Sequence, residues 1–202
     1  MKLKHKQLAV VAALLLGSSL THAASPIFSD DFNSYPADQF NWAPPALSGW
    51  TVSPNGTVDI HGAGGVFDLI PGNGSYVDLD GTTSSSGLFS NNVNLVGGTT
   101  YTLSFDLAGS HRGSAETVNV NFGSTATSNL LNSDDPFLTL TLNFTPGSSG
   151  SYSLSYLNVG GDNIGALLDN VSVSAIPETE IYAMLLAGLG LMGFMTRRRK
   201  TA

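Results

Sequence analysis

The sequence contains no cysteine among its 202 residues. That absence excludes disulfides, thiolate nucleophiles and lipid attachment at an N-terminal cysteine. An exported domain made from it must hold together by core packing, with or without a bound metal. Positive charge is almost as scarce away from the two ends. Residues 24–176 hold twelve Asp and Glu116 against one base, Arg112, a formal charge of about −12 beside −7 for the whole chain. Such a surface repels a polyanion, so nucleic acid is excluded as a partner. Apolar residues at helical spacing are missing from the same region. So are the catalytic signatures: there is no HExxH, no G-x-S-x-G elbow and no phosphate loop opening a helix.

Long apolar runs occur only at the ends. Residues 1–7 read MKLKHKQ, with Lys2, Lys4 and Lys6 as a basic start, and 8–20 read LAVVAALLLGSSL. Small residues follow in THAAS, with Thr21 and Ala23 at the small-residue positions. The pattern predicts a secretory signal helix over 1–23, cut after Ala23 or one residue later. At the other end IYAMLLAGLGLMGFMT occupies 181–196 and is followed by Arg197, Arg198, Arg199 and Lys200. As a helix this run spans about 24 Å, a little under the roughly 20 residues of a full span. Long basic side chains reaching to the interface make up the difference. The basic cluster then acts as a membrane stop signal and keeps the C-terminus cytoplasmic. The expected partition is a signal peptide over 1–23, a domain over 24–175 and a tail over 176–202 in contact with membrane lipid.

The middle of the chain alternates at period two. In 101–107 Tyr101, Leu103, Phe105 and Leu107 share one face, and in 117–122 Val118, Val120 and Phe122 do so. Leu138, Leu140, Leu142 and Phe144 form a third row, and Tyr152, Leu154 and Tyr156 a fourth. These read as half-buried antiparallel strands. Weaker strands are expected at 49–53, 57–60, 65–70, 75–80, 88–95 and 166–175, separated by Gly- and Pro-rich turns. The segment 36–48, PADQFNWAPPALS, reads as a long Pro-rich loop. The expected fold is all-β, an antiparallel jelly-roll β-sandwich flanked by a signal helix and a transmembrane helix.

The tail IPETEIYAMLLAGLGLMGFMTRRRK, residues 176–200, resembles the PEP-CTERM sorting signal of Gram-negative bacteria. Pro177 and Glu178 fall on its first two positions, and Thr179 stands where a second Pro is usual. The resemblance implies handling by exosortase, a membrane cysteine transpeptidase, in species that make exopolysaccharide and biofilm. The pieces LSGWTVSPNGTVDI, GNGSYVDLDG, TTYTLSFDLAG and LLDNVSVSAIPE resemble choice-of-anchor C domains and galactose-binding-like jelly rolls. That second resemblance implies a sandwich, and in such modules a structural calcium often sits where first and last strands meet.

Few residues in the domain invite chemistry. Asp59 and His61 lie two apart on one strand, and His111-Arg112 sit in the loop GSHRGS. Asp78 with Asp80, or Asp106 with Glu116, could pair as glycosidase carboxylates, but neither pair is privileged. Parity places Asp169 on the apparent core face with Leu167, Val171 and Val173, where a carboxylate needs a partner. Pairing of the first and last strands would bring it to Asp31, so these two are the candidate calcium ligands. Trp50 belongs to the core, while Trp42, in FNWAPP, is the candidate sugar-stacking residue. No other cofactor is expected. The expected protein is a non-enzymatic, membrane-tethered envelope or extracellular-matrix protein with exopolysaccharide as its candidate ligand. It would face the periplasm from the inner membrane before processing and reach the cell surface or matrix afterwards. The alternatives are a small carbohydrate-active enzyme and a purely structural envelope protein.

Overall fold

The computed structural model describes residues 25–36, 38–42, 49–53 and 55–177, together with 185, 186, 188–190 and 192. The expected signal peptide over 1–23, Glu178, Thr179, and the cluster Arg197, Arg198, Arg199 and Lys200 lie outside the described residues. Leu185, Leu186, Gly188, Leu189, Gly190 and Met192 are helical. No helix among the described residues is long and apolar enough to cross a membrane.

Alternation at period two becomes strand wherever a partner edge is available. Twelve strands follow in the described residues: β1 Phe28–Asp30, β2 Gln39–Trp42, β3 Thr51–Val52, β4 Val58–Gly62, β5 Ser75–Asp78 and β6 Phe89–Leu95. They continue as β7 Tyr101–Ala108, β8 Glu116–Phe122, β9 Thr125–Leu131, β10 Leu138–Phe144, β11 Gly150–Asn158 and β12 Leu167–Ala175. One sheet runs β10-β7-β12-β5-β4-β2, with β1 added to β12; the other runs β3-β6-β11-β8-β9. Every strand ladder is antiparallel. From β6 onward the chain crosses repeatedly between the sheets, which makes the sandwich a jelly roll.

The inner faces carry the expected rows. Leu103, Phe105, Val118, Val120, Leu154 and Val173 are fully buried, and Leu140, Leu142 and Tyr152 close the margins half-buried. Trp50 is fully buried and stacks on Phe89 at 4.1 Å between ring centroids. Its indole N–H donates to Asp30 Oδ2 at 2.9 Å, and the Tyr35 hydroxyl donates to the same oxygen at 2.7 Å. Asp30 Oδ1 accepts the Phe32 N–H.

Two expectations need correction, and one strand has no counterpart among them. The run 65–70 is not a strand: β4 and β5 pair directly, Gly62 opposite Ser75, so 63–74 is the loop of their hairpin. The loop instead folds over the outer face of the sheet, where the N–H groups of Leu69 and Ile70 donate to the Tyr76 hydroxyl. The Pro-rich segment 36–48 contains β2, whose edge pairing to β4 needs only short stretches of backbone. The strand β9, TATSNLL, is amphiphilic on neither face, so periodicity does not reveal it. A tight turn at Gly123 and Ser124 lays it along β8 for its whole length. Gly123 has φ +58°, and a Cβ there would strike the Phe144 ring, so the turn demands glycine.

Candidate functional site

The outer face of the seven-stranded sheet collects the polar side chains that face away from the core. Asp59 and His61 of β4 lie there beside Tyr76 and Asp78 of β5, with Asp59 directly opposite Asp78. The 63–74 loop folds back over this face. Its N–H groups of Leu69 and Ile70 both donate to the Tyr76 hydroxyl, at 2.6 and 3.0 Å, and that hydroxyl lies 3.2 Å from Asp68 Oδ1. Burial, with the Asp68 charge adding to it, pushes the Tyr76 phenol up to about 12, so it stays neutral and keeps its proton for Asp68. Leu69, Ile70 and Phe137 then cover a second apolar cluster of Tyr76, Ala108 and Leu167.

Beside this lid lies a pocket of about 350 Å³, lined by Phe40, Asp59, His61, Phe67, Leu69, Thr82, Arg112 and Asn163. Three rings meet in it. Phe40 and Phe67 stand edge to face at 5.6 Å, and each also contacts the His61 imidazole, at 5.6 and 6.2 Å. Phe40 is 44% exposed and Phe67 53% exposed, whereas His61 is 4% exposed and forms the floor. Arg112 reaches in from the 109–115 loop, donating from Nη1 to the Asn163 carbonyl at 2.7 Å and from Nη2 to Asp78. In the loop GSHRGS, Gly109 and Ser110 are buried and His111 and Ser114 half-buried, while Arg112 and Gly113 remain exposed.

Phe40 occupies the place expected for Trp42. Gln39 pairs with Ile60 and Trp42 with Val58, three residues against two, which marks a β-bulge. Asn41 takes φ 52° in it. The bulge breaks the two-residue parity of β2. Trp42 turns inward, half-buried against Phe89 at 6.1 Å and Tyr35 at 6.5 Å. Trp42 is thus a core-edge residue and not an exposed stacking platform.

Asp59, His61 and Asp78 bring ligand atoms within 4.8 Å of one another. The two carboxylates have other partners, whereas His61 Nδ1 is buried without a hydrogen bond. Asp59 Oδ1 accepts the Asn41 N–H at 2.6 Å, and Oδ2 accepts the N–H and hydroxyl of Thr82 at 3.1 and 2.6 Å. Burial pushes the Asp78 carboxyl up, opposed by His61 and the Arg112 guanidinium. Arg112 is the cation of this cluster, and a metal would have to displace it.

The expected meeting of Asp31 and Asp169 lies elsewhere on the sheet. Phe28 pairs with Val173 and Asp30 with Val171, so the first and last strands do adjoin. They border an open groove of about 490 Å³ lined by Ser29, Asp30, Asp31, Ser34, Asn170, Val171 and Ser172. Asp169 is not on the core face, because a second bulge intervenes: Asp169 opposes Asp106 and Ser172 opposes Ser104, with Asn170 at φ 50°. Leu168 and Val171 face the core, and Asp169 faces the lid loop, where Asn73 Nδ2 donates to it at 2.7 Å. Burial raises its carboxyl to about 6, assisted by the Asp106 and Asp31 charges.

A buried acidic pair closes the same end of the sandwich as the pocket. Asp80 is fully buried and Glu116 is 4% exposed. Asp80 Oδ2 accepts the Asp162 N–H at 3.2 Å, while Oδ1 has no partner. Asn158 Nδ2 donates to Glu116 Oε2 at 3.0 Å. Burial raises the Asp80 carboxyl to about 6, and Asp78, Asp162 and Glu116 push in the same direction. Between the unfolded value of 3.8 and about 6 the native state holds more protons than the unfolded chain, so stability rises as pH falls from 7 towards 4. Asp80→Asn is expected to raise the melting temperature at pH 7, to leave it nearly unchanged at pH 4, and to flatten the slope between. Thermal unfolding at the two pH values checks this. Asp169 acts with the same sign, so a residual slope remains in the variant.

The PEP-CTERM protein-sorting motif matches residues 177–200, beginning at Pro177. It marks an exported protein processed by exosortase. No curated protein matches the chain. Among solved structures, an arabinose-bound MgGH51 α-L-arabinofuranosidase is 13% identical over 78% of the chain with a TM-score of 0.51. The N-terminal CBM22-1–CBM22-2 tandem domain from Paenibacillus barcinonensis Xyn10C is 14% identical over 80% of the chain with a TM-score of 0.50. The chain spans 27% of the first of these and 48% of the second. Identities this low speak to the fold alone. Residues 177–200 are a PEP-CTERM protein-sorting motif, set behind a sandwich with the fold of CBM22 carbohydrate-binding modules.

Proposed function

We propose that this chain is a non-enzymatic cell-envelope or matrix protein whose sandwich binds a neutral glycan, an exopolysaccharide, in the Phe40–Phe67 pocket. The observation that carries it is the pair of exposed rings set beside Arg112, Asn163 and Thr82 on the sheet face. Apolar sugar faces stack on rings, and hydroxyls bond to such polar neighbours. The glycan is neutral because the domain's thirteen acids would repel an anionic one and Arg112 is already paired to Asp78. The carboxylate pairs support a non-enzymatic role: Asp78 is held by Arg112, and Asp80 and Glu116 are buried away from the pocket. Binding measured by calorimetry against neutral polysaccharides is expected for the detergent-solubilised protein. Phe67→Ala should weaken it about tenfold, roughly 1.4 kcal/mol for one lost stacking contact. Binding to no glycan would favour the purely structural alternative.

The tail's role follows from its two parts. The segment from Ile181 to Met195 partitions into the inner membrane, and Arg197, Arg198, Arg199 and Lys200 hold its end in the cytoplasm. The sandwich then faces the periplasm until exosortase cuts near Pro177, Glu178 and Thr179 and passes it to the cell surface or matrix. Intact mass of the native protein should show loss of 181–202 in wild-type cells and retention in cells lacking the enzyme. Retention in both would rule out processing.

Calcium at Asp31 and Asp169 is the third part of the proposal. The donor set suits it: Asp31, Asp106 and Asp169 repel one another, and no base pairs with any of them among the described residues. The amides of Asn73 and Asn170 border the same carboxylates, and their oxygen side could turn to a cation. A bound ion would stabilise the native state by mass action. Chelator is therefore expected to lower the melting temperature and added calcium to restore it. A melting curve unmoved by either rules the ion out.

A further inference from the structure

We infer that the pocket recognises chain ends or short oligosaccharides and does not track along the interior of a polysaccharide. The inference rests on the glycan-binding reading of the same site. A site for chain interiors must be a groove open at both ends, so that the polymer enters on one side and leaves on the other. The outer face of the seven-stranded sheet would be wide enough, since six strands at about 4.8 Å apart make roughly 24 Å. The 63–74 loop removes that path. Leu69 and Ile70 lie on Tyr76 and Leu167, both left fully buried, so the middle of the face is filled. The loop is held at two places, by its bonds to the Tyr76 hydroxyl and by Asn73 to Asp169 at 2.7 Å.

The remaining side is closed by Arg112, which joins β5 through Asp78 to the 159–166 loop through the Asn163 carbonyl. What is left is a recess at the β2 margin, floored by His61 and opening past Phe40 and Phe67. Its volume of about 350 Å³ lies at the low end of the 300–1,000 Å³ usual for small-molecule sites. That is room for one or two sugar rings.

The recess also lies at one pole. Leu167, where β12 begins, pairs with Asp78 and Ala108 next to it, and β12 runs the length of the sheet to Ala175 at the other pole. The tail departs there. The recess therefore lies at the opposite pole of the sheet from Ile176 and Pro177, which lead into the tail.

The test uses the detergent-solubilised full chain with soluble β-glucan, xylan and galactan and their oligosaccharide ladders from one to six units. Affinity is expected to reach its plateau at two units. Partial endo-hydrolysis of the polymer that binds should raise binding capacity per unit mass in proportion to the ends created. Reducing the terminal aldehyde to an alditol separates the two ends: retained binding assigns the non-reducing end, loss the reducing end. Phe67→Ala should lose at least tenfold on the disaccharide. Affinity climbing steadily to six units, or a capacity per mass unchanged by hydrolysis, overturns chain-end recognition while leaving glycan binding intact. Binding to none of the probes overturns both.

Discussion

One carboxylate joins the two halves of this sandwich. Asp30 ends β1, which belongs to the seven-stranded sheet, and it accepts the indole N–H of Trp50, which leads into β3 of the five-stranded sheet. The same oxygen takes the Tyr35 hydroxyl, and its partner takes the Phe32 N–H. Trp50 and Phe32 are fully buried among Phe89, Tyr156 and Phe28. A hydrogen bond to a charged acceptor is stronger than a neutral one, and it satisfies the Trp50 and Tyr35 donors together. Without cysteine, these bonds and the ladder to β12 fix the N-terminal strand. The placement of β1 in turn sets the edge of β12 and everything that borders it.

Most of the sandwich was legible in the sequence, because Tyr101 to Leu107, Val118 to Phe122 and Tyr152 to Tyr156 alternate without interruption. The site was less so, and the reason is local. Two bulges, at Asn41 and Asn170, each insert one residue and reverse the parity on which face assignments rest. Asp169 was assigned by such reasoning and Trp42 from its place in a Pro-rich segment, and both face the other way from the expected one. A left-handed Asn in a strand is a weak signal beforehand, since Asn tolerates that conformation in turns as readily. Phe67 was hidden differently. Its segment alternates like a strand but sits between Gly64-Gly65 and Pro71-Gly72, and those flanks were the cue that it belonged to a loop.

The electrostatics follow from the near absence of bases. A domain with thirteen acids and one Arg can neutralise only one buried carboxylate by ion pairing, and Arg112 does so at Asp78. The others rely on donors: Asp59 on Thr82 and Asn41, Asp30 on Trp50 and Tyr35, Glu116 on Asn158 and Ser114. Asp80 has one unpartnered oxygen and Asp169 faces the Asp106 and Asp31 charges, and burial lifts both carboxyls. Asp80 is buried away from the pocket, under the Asp162 N–H and near Glu116, and Asp169 lies under the 63–74 loop at Asn73. Protonation relieves the first, whereas the second also takes bonds from Asn73 and Asn170.

These features divide the sandwich along the length of β12. At its start the loops after β7 and β11 converge through Arg112 and Asn163, and the aromatic recess opens beside them. At its end the backbone of Ile27 bonds to Val173 and that of Ile176 to Thr100, so the strand is held on both sides up to the last residue before the sorting motif. A motif read by a membrane enzyme has to be extended and accessible, and Pro177 discourages helix at Ile176 immediately before it. Rigid pairing up to Ile176 and a proline directly after it keep the folded body from unravelling into the recognition segment. Cleavage there would leave the sheet, the recess and the groove complete, because among the described residues none that builds them lies beyond Ile176.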